Sequence, residues 1–257
     1  MKSFLNEIVL DSKFLSIALT LVFGVCVYWF WGVRYPFALA YQEQFQLFQC
    51  DGAYLLMRLG EPGGVARYVA EFLVQFYNHA LWGAAVLAVV YVLMQWQVWL
   101  LMQPCGTTWL PLSFIPVVLL WCLMGDESVL LTYPVAVILT LGLMMIWKRW
   151  GSSTVVGCGF AVLLLAAGYW IAGSVVVMLA VYIVVNVILR KTSAAMAITT
   201  SVVAVATVLL CLWVSSLWLP YPFAQLCYGI GYYRFVDTLP YLMVVILAVC
   251  VLLPLTA

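Results

Sequence analysis

The sequence predicts an all-α, polytopic helical membrane protein with about eight spans and amphipathic surface helices in its first outer loop. Two observations indicate this class. Hydrophobic residues make up 68% of the 257-residue chain and charged residues only 7%, whereas a soluble domain carries about 25% charged residues. Several apolar runs also approach the length of about 20 residues that a helix needs to cross a bilayer. The predicted solvent of this chain is therefore lipid.

The apolar runs predict a single transmembrane domain over residues 1–257. The third run is short and contains Pro111 and Pro116, so it predicts either a kinked span or a re-entrant segment. Only Gly173 and Ser174 separate the fifth run from the sixth, which predicts a tight helical hairpin. In chain order, the predicted spans are residues 14–33, 80–102, 109–125, 128–147, 154–172, 174–189, 195–218 and 240–256.

Basic residues near the ends of these runs predict the orientation, because Lys and Arg favour the cytoplasmic side. With eight spans, all the basic clusters fall on one side, and both termini are predicted to be cytoplasmic in a bacterial inner membrane. The long outer loops then cover residues 34–79 and 219–239, and a short outer loop at residues 126–127 comes second in chain order. A formal net charge of +1 argues against a nucleic-acid partner. The clusters are Lys2 with Lys13, Lys148-Arg149 and Arg190-Lys191.

The first outer loop is the polar centre of the sequence. Pro36 suits a helix start and Gly60 a helix end, so the segment between them predicts an amphipathic helix lying on the outer leaflet. A turn at residues 61–64 leads to a second helix with a polar stripe at helical spacing. We expect this stripe to face protein beside an outer cavity, because unpaired charge facing hydrocarbon is costly. The stripe consists of Arg67, Glu71, Gln75 and Asn78.

Carboxylates of two outer loops form the first candidate site. Asp51 and Glu43 lie in the first loop, and Asp126 and Glu127 in the second. Their oxygens suit a hard cation, Mg²⁺ or Mn²⁺, which would neutralise a phosphate leaving group. A free carboxylate, Asp51 or Glu43, would take a proton from an incoming hydroxyl. The alternative is that Asp126 and Glu127 are solvated and only keep their loop out of the membrane.

Arg234 in the last outer loop is a candidate phosphate-binding residue. Arginine binds phosphate with two parallel hydrogen bonds, and Gly229 and Gly231 would allow close backbone approach. The alternative is an interfacial anchor in which Arg234 pairs with Asp237 three residues later.

The segment Tyr41-Gln42-Glu43-Gln44-Phe45-Gln46-Leu47-Phe48, followed by Asp51 and Pro62-Gly63-Gly64, resembles a family of uncharacterised bacterial multi-pass inner-membrane proteins. That family has a Y-Q-E-Q-x-x-L-F motif after the first span. The resemblance covers residues 30–100 and implies a membrane topology but no activity. Its members are longer, which implies a further soluble part after the membrane domain.

The layout also looks like the membrane module of GT-C-type glycosyltransferases, with Asp51 and Asp126-Glu127 in the positions of the acidic residues in their outer loops. That resemblance implies transfer from a polyprenyl-phosphate-linked sugar at the outer face, although Asp126-Glu127 is not the D-x-D pattern. Fold-level analogy does not establish activity. The alternatives are a non-catalytic membrane subunit that docks a periplasmic or membrane partner and, third, a lipid or solute transporter.

Overall fold

A computed structural model describes residues 2–44, 46–103, 107–126, 129–151, 155–190, 193–227, 231 and 241–256. Within these ranges the chain is helical and contains no strand, which confirms the predicted all-α class. Four helical stretches are long and apolar enough to cross a membrane: Phe14–Arg34, Ala80–Met102, Val155–Leu189 and Ala194–Ser216. Two shorter apolar stretches are Trp109–Leu123 and Tyr241–Thr256.

The first half of the fold places three short helices between two long ones. Helix α1 (Lys2–Trp29) continues as a π-helical turn, Phe30–Arg34. The loop helices are α2 (Pro36–Glu43), α3 (Gly52–Leu59) and α4 (Gly64–Val74). A 3₁₀ turn, Gln75–Asn78, then leads to α5 (Ala80–Met102).

The single helix predicted between Pro36 and Gly60 is wrong, because the structure has two helices there. Residues 46–51 are non-helical, and Asp51 has the extended backbone (φ −132°, ψ 146°) of a residue that precedes a helix. The Gln46 carbonyl accepts a hydrogen bond from Gln75 Nε2 at 3.4 Å. This side-chain contact with a later element replaces a helical hydrogen bond, which the local pattern of apolar residues does not reveal.

The second half begins with the proline-containing segment. A 3₁₀ helix, Thr107–Phe114, contains Pro111, and α6 (Ile115–Leu123) has Pro116 in its first turn, where a missing N–H is tolerated. The remaining helices are α7 (Thr132–Trp150), α8 (Val155–Ala172), α9 (Val177–Leu189), α10 (Ala194–Ser216), α11 (Phe223–Cys227) and α12 (Tyr241–Thr256).

The stretch Val155–Leu189 folds back on itself as the predicted hairpin. Gly173 has a left-handed backbone (φ 66°) and begins a 3₁₀ turn, Gly173–Val176. Arg190 Nη1 donates to the Gly151 carbonyl at 2.9 Å, so the end of α9 lies beside the start of α8. A continuous helix of this length would separate these ends by about 50 Å.

Hydrogen bonds join the ends of different helices at both ends of the bundle. At one end, Lys148 Nζ donates to the carbonyl of Leu101 at 2.6 Å. At the other end, the Tyr133 hydroxyl donates to the Met243 carbonyl at 2.8 Å. Helices α5 and α7 therefore end at the same end of the bundle, and α7 and α12 both begin at the other end, so these three helices run in the same direction.

A neutral polar network lies inside the bundle. Gln95 of α5 is fully buried; its Nε2 donates to Ser113 Oγ at 2.8 Å, and its Oε1 lies 3.0 Å from Thr20 Oγ1. Ser113 Oγ in turn lies 2.7 Å from the Leu110 carbonyl. The network joins α1, α5 and the 3₁₀ helix before α6, and uses no charged group.

Candidate functional site

A half-open groove of about 320 Å³ lies where two connecting segments meet, the first loop before α5 and the second loop between α6 and α7. Gln42 helps to join the loops, because its Nε2 donates to the Val129 carbonyl at 3.4 Å. The first loop contributes most of the wall and the second loop the remainder. The lining residues are Tyr35, Phe37, Ala38, Tyr41 and Gln42 from the first loop, and Met124 and Gly125 from the second.

The predicted carboxylates differ in their relation to this groove. Glu43 is half-buried and directly follows Gln42, and Asp126 is exposed and directly follows Gly125. Asp51 is exposed at the start of α3, and its side chain makes no capping hydrogen bond there. Glu127 and Arg234 lie outside the described residues.

The described carboxylates do not form a ready-made metal centre. In the part of the chain that the structure describes, no three His, Cys, Asp or Glu side chains come together to hold a metal ion. Mg²⁺ commonly keeps several waters and binds through one or two carboxylates together with substrate phosphates. The described lining of the groove contains no carboxylate, and Glu43 and Asp126 follow lining residues in the chain, so a metal there would rely on substrate phosphate and water for its other ligands.

A second polar cluster, the ion-pair network, joins α3 to α4. Glu71 is only 5% exposed. Its Oε2 accepts a hydrogen bond from Arg58 Nε and its Oε1 accepts one from Arg67 Nε, both at 3.0 Å. Arg67 Nη1 also donates to Glu61 Oε2 at 2.9 Å. The Tyr54 hydroxyl accepts from Arg58 Nη2 at 2.9 Å and donates to Glu71 Oε2 at 2.5 Å. Two arginines and two glutamates thus balance each other.

Burial and hydrogen bonding determine the protonation of Tyr54 and Arg58 in this network. Burial raises the pKa of the Tyr54 phenol, and its hydrogen bond to Glu71 raises the pKa further. Burial lowers the pKa of the Arg58 guanidinium, but its hydrogen bond with Tyr54 and the charge of Glu71 outweigh this and leave the pKa raised. Tyr54 therefore remains a neutral donor and Arg58 a cation, which suits a structural tie.

Two glycines allow the turn that brings these charges together. Gly63 has a left-handed backbone (φ 71°), and its N–H donates to the Tyr169 carbonyl of α8 at 3.1 Å. At Gly64, a Cβ atom would lie 1.7 Å from the Arg58 carbonyl oxygen. The close approach of the two helices therefore requires glycine at position 64.

The polar stripe is divided between two environments. Arg67 and Glu71 belong to the ion-pair network, whereas Gln75 and Asn78 are exposed. Gln75 Nε2 reaches the Gln46 and Glu71 carbonyls at 3.4 and 3.3 Å. Sequence reasoning did not identify Tyr54 and Arg58 as partners of Glu71. Their spacing of four residues on α3 indicates a shared face, but not the helix that this face contacts.

These features describe an all-helical protein with apolar helices of membrane length and a groove between two connecting loops at one end. The chain belongs to the family of unknown function DUF6057, which it matches over residues 12–257. No curated protein and no solved structure matches it.

Proposed function

We propose that this protein is a GT-C-like membrane glycosyltransferase, or a derivative of one, that binds a polyprenyl-phosphate-linked sugar in the groove. The observation that carries the proposal is the meeting of the two loops. The groove lies between α2 and residues 124–125, and Glu43 and Asp126 each directly follow a lining residue. A transferase of this class needs acidic groups from both loops beside one substrate.

The proposal places the chain in a bacterial inner membrane with eight spans, cytoplasmic termini and the groove outside. It is supported by the shared direction of α5, α7 and α12, which would be the second, fourth and eighth spans, and by the position of Lys148 and Arg190. Both basic residues lie at the end of the bundle opposite the groove, as cytoplasmic Lys and Arg do.

Within this proposal, Glu43 is a better candidate for the base than Asp51, because it directly follows a groove residue. The base takes the proton of an acceptor hydroxyl, whose oxygen attacks the anomeric carbon as polyprenyl phosphate leaves. Asp126 and Glu127 would hold Mg²⁺ or Mn²⁺ together with the substrate phosphate. Arg234 would bind a phosphate oxygen.

Apolar side chains on the outer loop suit a substrate that arrives through the lipid. Phe37 is 83% exposed and also lines the groove. Leu47 is 75% and Leu56 71% exposed. An amphipathic helix with such residues lies in the membrane interface, so α2 would border both the groove and the acyl chains.

The test is binding and transfer in lipid nanodiscs that contain polyprenyl-phosphate-linked sugar and Mg²⁺. We expect Glu43→Gln and Asp126→Asn to lower the release of polyprenyl phosphate by about 10²-fold or more. The matched variant Asp51→Asn should retain most of that release. If wild-type protein neither binds the lipid nor releases polyprenyl phosphate, the proposal is wrong.

The exposed apolar residues also favour a second candidate function, a non-catalytic membrane subunit. A contiguous apolar patch at an outer loop is typical of a protein-docking surface. In that case Leu56→Ser would abolish association with a periplasmic or membrane partner without affecting lipid binding. Loss of polyprenyl phosphate release in Glu43→Gln, with lipid binding retained, would instead favour the transferase.

A further inference from the structure

Three buried polar groups near the start of α5 have no hydrogen-bond partner within the described ranges. They are the indole N–H of Trp31, which is 2% exposed, and the hydroxyls of Tyr77 and Tyr91, which are 1% and 0% exposed. Burying such groups unpaired destabilises a fold. Because unpaired groups of this kind are rare in native structures, these three need a physical explanation.

The three groups come from three different elements. Trp31 belongs to the π-helical turn Phe30–Arg34, Tyr77 to the 3₁₀ turn Gln75–Asn78, and Tyr91 to α5. The whole first loop separates the two turns in the chain, so only the tertiary fold brings these side chains together.

Close contacts at two glycines hold both turns against α5. A Cβ atom at Gly32 would lie 3.1 Å from Ala84 Cβ. A Cβ atom at Gly83 would lie 3.0 Å from Tyr77 Cα and 3.1 Å from the Tyr77 ring. Side chains on a helix lean toward its N-terminus, so Tyr91 leans back toward the turns that pack at Gly83 and Ala84.

The three polar groups face one another. The Tyr91 hydroxyl lies within reach of the Trp31 indole N–H and interacts electrostatically with Tyr77. None of the three completes a hydrogen bond with another, so each can still bond to a shared partner. The groups that act on the Tyr91 hydroxyl, Trp31, Tyr77 and Cys122, are all neutral. A charged ligand here would therefore lack a counter-charge.

We propose that Trp31, Tyr77 and Tyr91 bind a buried water molecule that joins the two turns to α5. A buried water typically makes about three hydrogen bonds to groups that the protein leaves unpaired. Its oxygen accepts from the Trp31 N–H, which can only donate, and its two hydrogens go to the tyrosine hydroxyl oxygens. The Trp31 ring packs against Tyr35, which lines the groove, with 6.1 Å between ring centroids. The water thus also supports one wall of the groove.

X-ray radiolytic footprinting of the wild-type protein in nanodiscs, read by mass spectrometry, tests the site directly. Radiolysis converts bound water to hydroxyl radicals, which oxidise the aromatic side chains beside it. We expect oxidation of Trp31, Tyr77 and Tyr91 although all three are buried. Tyr169 is the control, because it is 1% exposed and its hydroxyl already bonds with Ser215 Oγ at 2.6 Å. If Tyr77 and Tyr91 are no more reactive than Tyr169, the inference is wrong.

Thermal unfolding in nanodiscs provides the second measurement. Tyr77→Phe and Tyr91→Phe each remove one partner of the water, so each should lower the unfolding temperature by about 2–4 °C. The double variant should lose less than the sum of the two single variants, because both hydroxyls depend on the same water. Tyr28→Phe, at a residue that is 37% exposed, is the control and should change little. If neither Tyr77→Phe nor Tyr91→Phe lowers the unfolding temperature, the hydroxyls hold no water and the inference is overturned.

Discussion

The ion-pair network of α3 and α4 and the Gln95 network inside the bundle both provide partners for buried polar side chains, but they use different chemical groups. The first uses four charges around Glu71, and the second uses only an amide and two hydroxyls. Both are buried, but only the first lies in a connecting loop at one end of the bundle. The difference indicates that charge is kept where water is close, whereas the interior uses neutral hydrogen bonds.

Removing the Glu71 carboxylate tests this difference and should have the largest effect on stability. Glu71→Gln removes the buried anion of Arg58 and Arg67 and leaves both only the more exposed Glu61, which should cost about 3–5 kcal/mol. Thermal unfolding in nanodiscs measures the loss. The matched variant Glu61→Gln removes a more exposed carboxylate, at 27% side-chain exposure, and should cost about 1 kcal/mol or less. Equal losses would mean that Glu71 is not the centre of the network.

The second prediction concerns the backbone under the network. Gly64→Ala places a methyl group against the Arg58 carbonyl, so α3 and α4 must separate, at a cost of about 1–3 kcal/mol. Gly60→Ala is the control, because its Cβ would lie 3.4 Å from the nearest atom, the Met57 carbonyl oxygen. It should change stability by about 0.5 kcal/mol or less. A harmless Gly64→Ala would contradict the close approach.

The third prediction measures the neutral network. Gln95→Leu removes both of its side-chain hydrogen bonds, but Thr20 and Ser113 retain backbone carbonyls as acceptors. We therefore expect a loss of only about 0.6–1.7 kcal/mol, the range for hydrogen bonds between membrane helices. Denaturant titration in mixed micelles gives the value. A loss as large as that of Glu71→Gln would remove the contrast between the two networks.

The two networks also show what a sequence reveals about such a fold. Helix α5 was predicted with its observed bounds. A helix of this kind is recognised from the length and composition of its apolar run alone, without knowledge of tertiary contacts. The spacing of Arg67 and Glu71 likewise indicates a pair on one helix. Tyr54 and Arg58 reach Glu71 only through the Gly63-Gly64 turn, and Gln42 reaches Val129 across 87 residues. Local periodicity contains no information about such contacts, so neither the full network nor the residues that line the groove were predicted.

The smallest expected effect is a pH dependence of stability that the ion-pair network should have and the Gln95 network should not. Because the pKa of Tyr54 is raised in the folded protein, the folded state holds this proton more tightly than the unfolded state. The resulting stability is fully present below the ordinary tyrosine pKa of about 10 and is lost as the pH rises through the folded pKa.

Tyr54→Phe cannot lose a proton, so its stability should decline less than that of wild type above pH of about 10. Gln95→Leu should decline in parallel with wild type. The comparison is made by thermal unfolding of the three proteins in nanodiscs across this pH range. Parallel curves for Tyr54→Phe and wild type would mean that burial and the hydrogen bond to Glu71 do not raise the pKa of Tyr54.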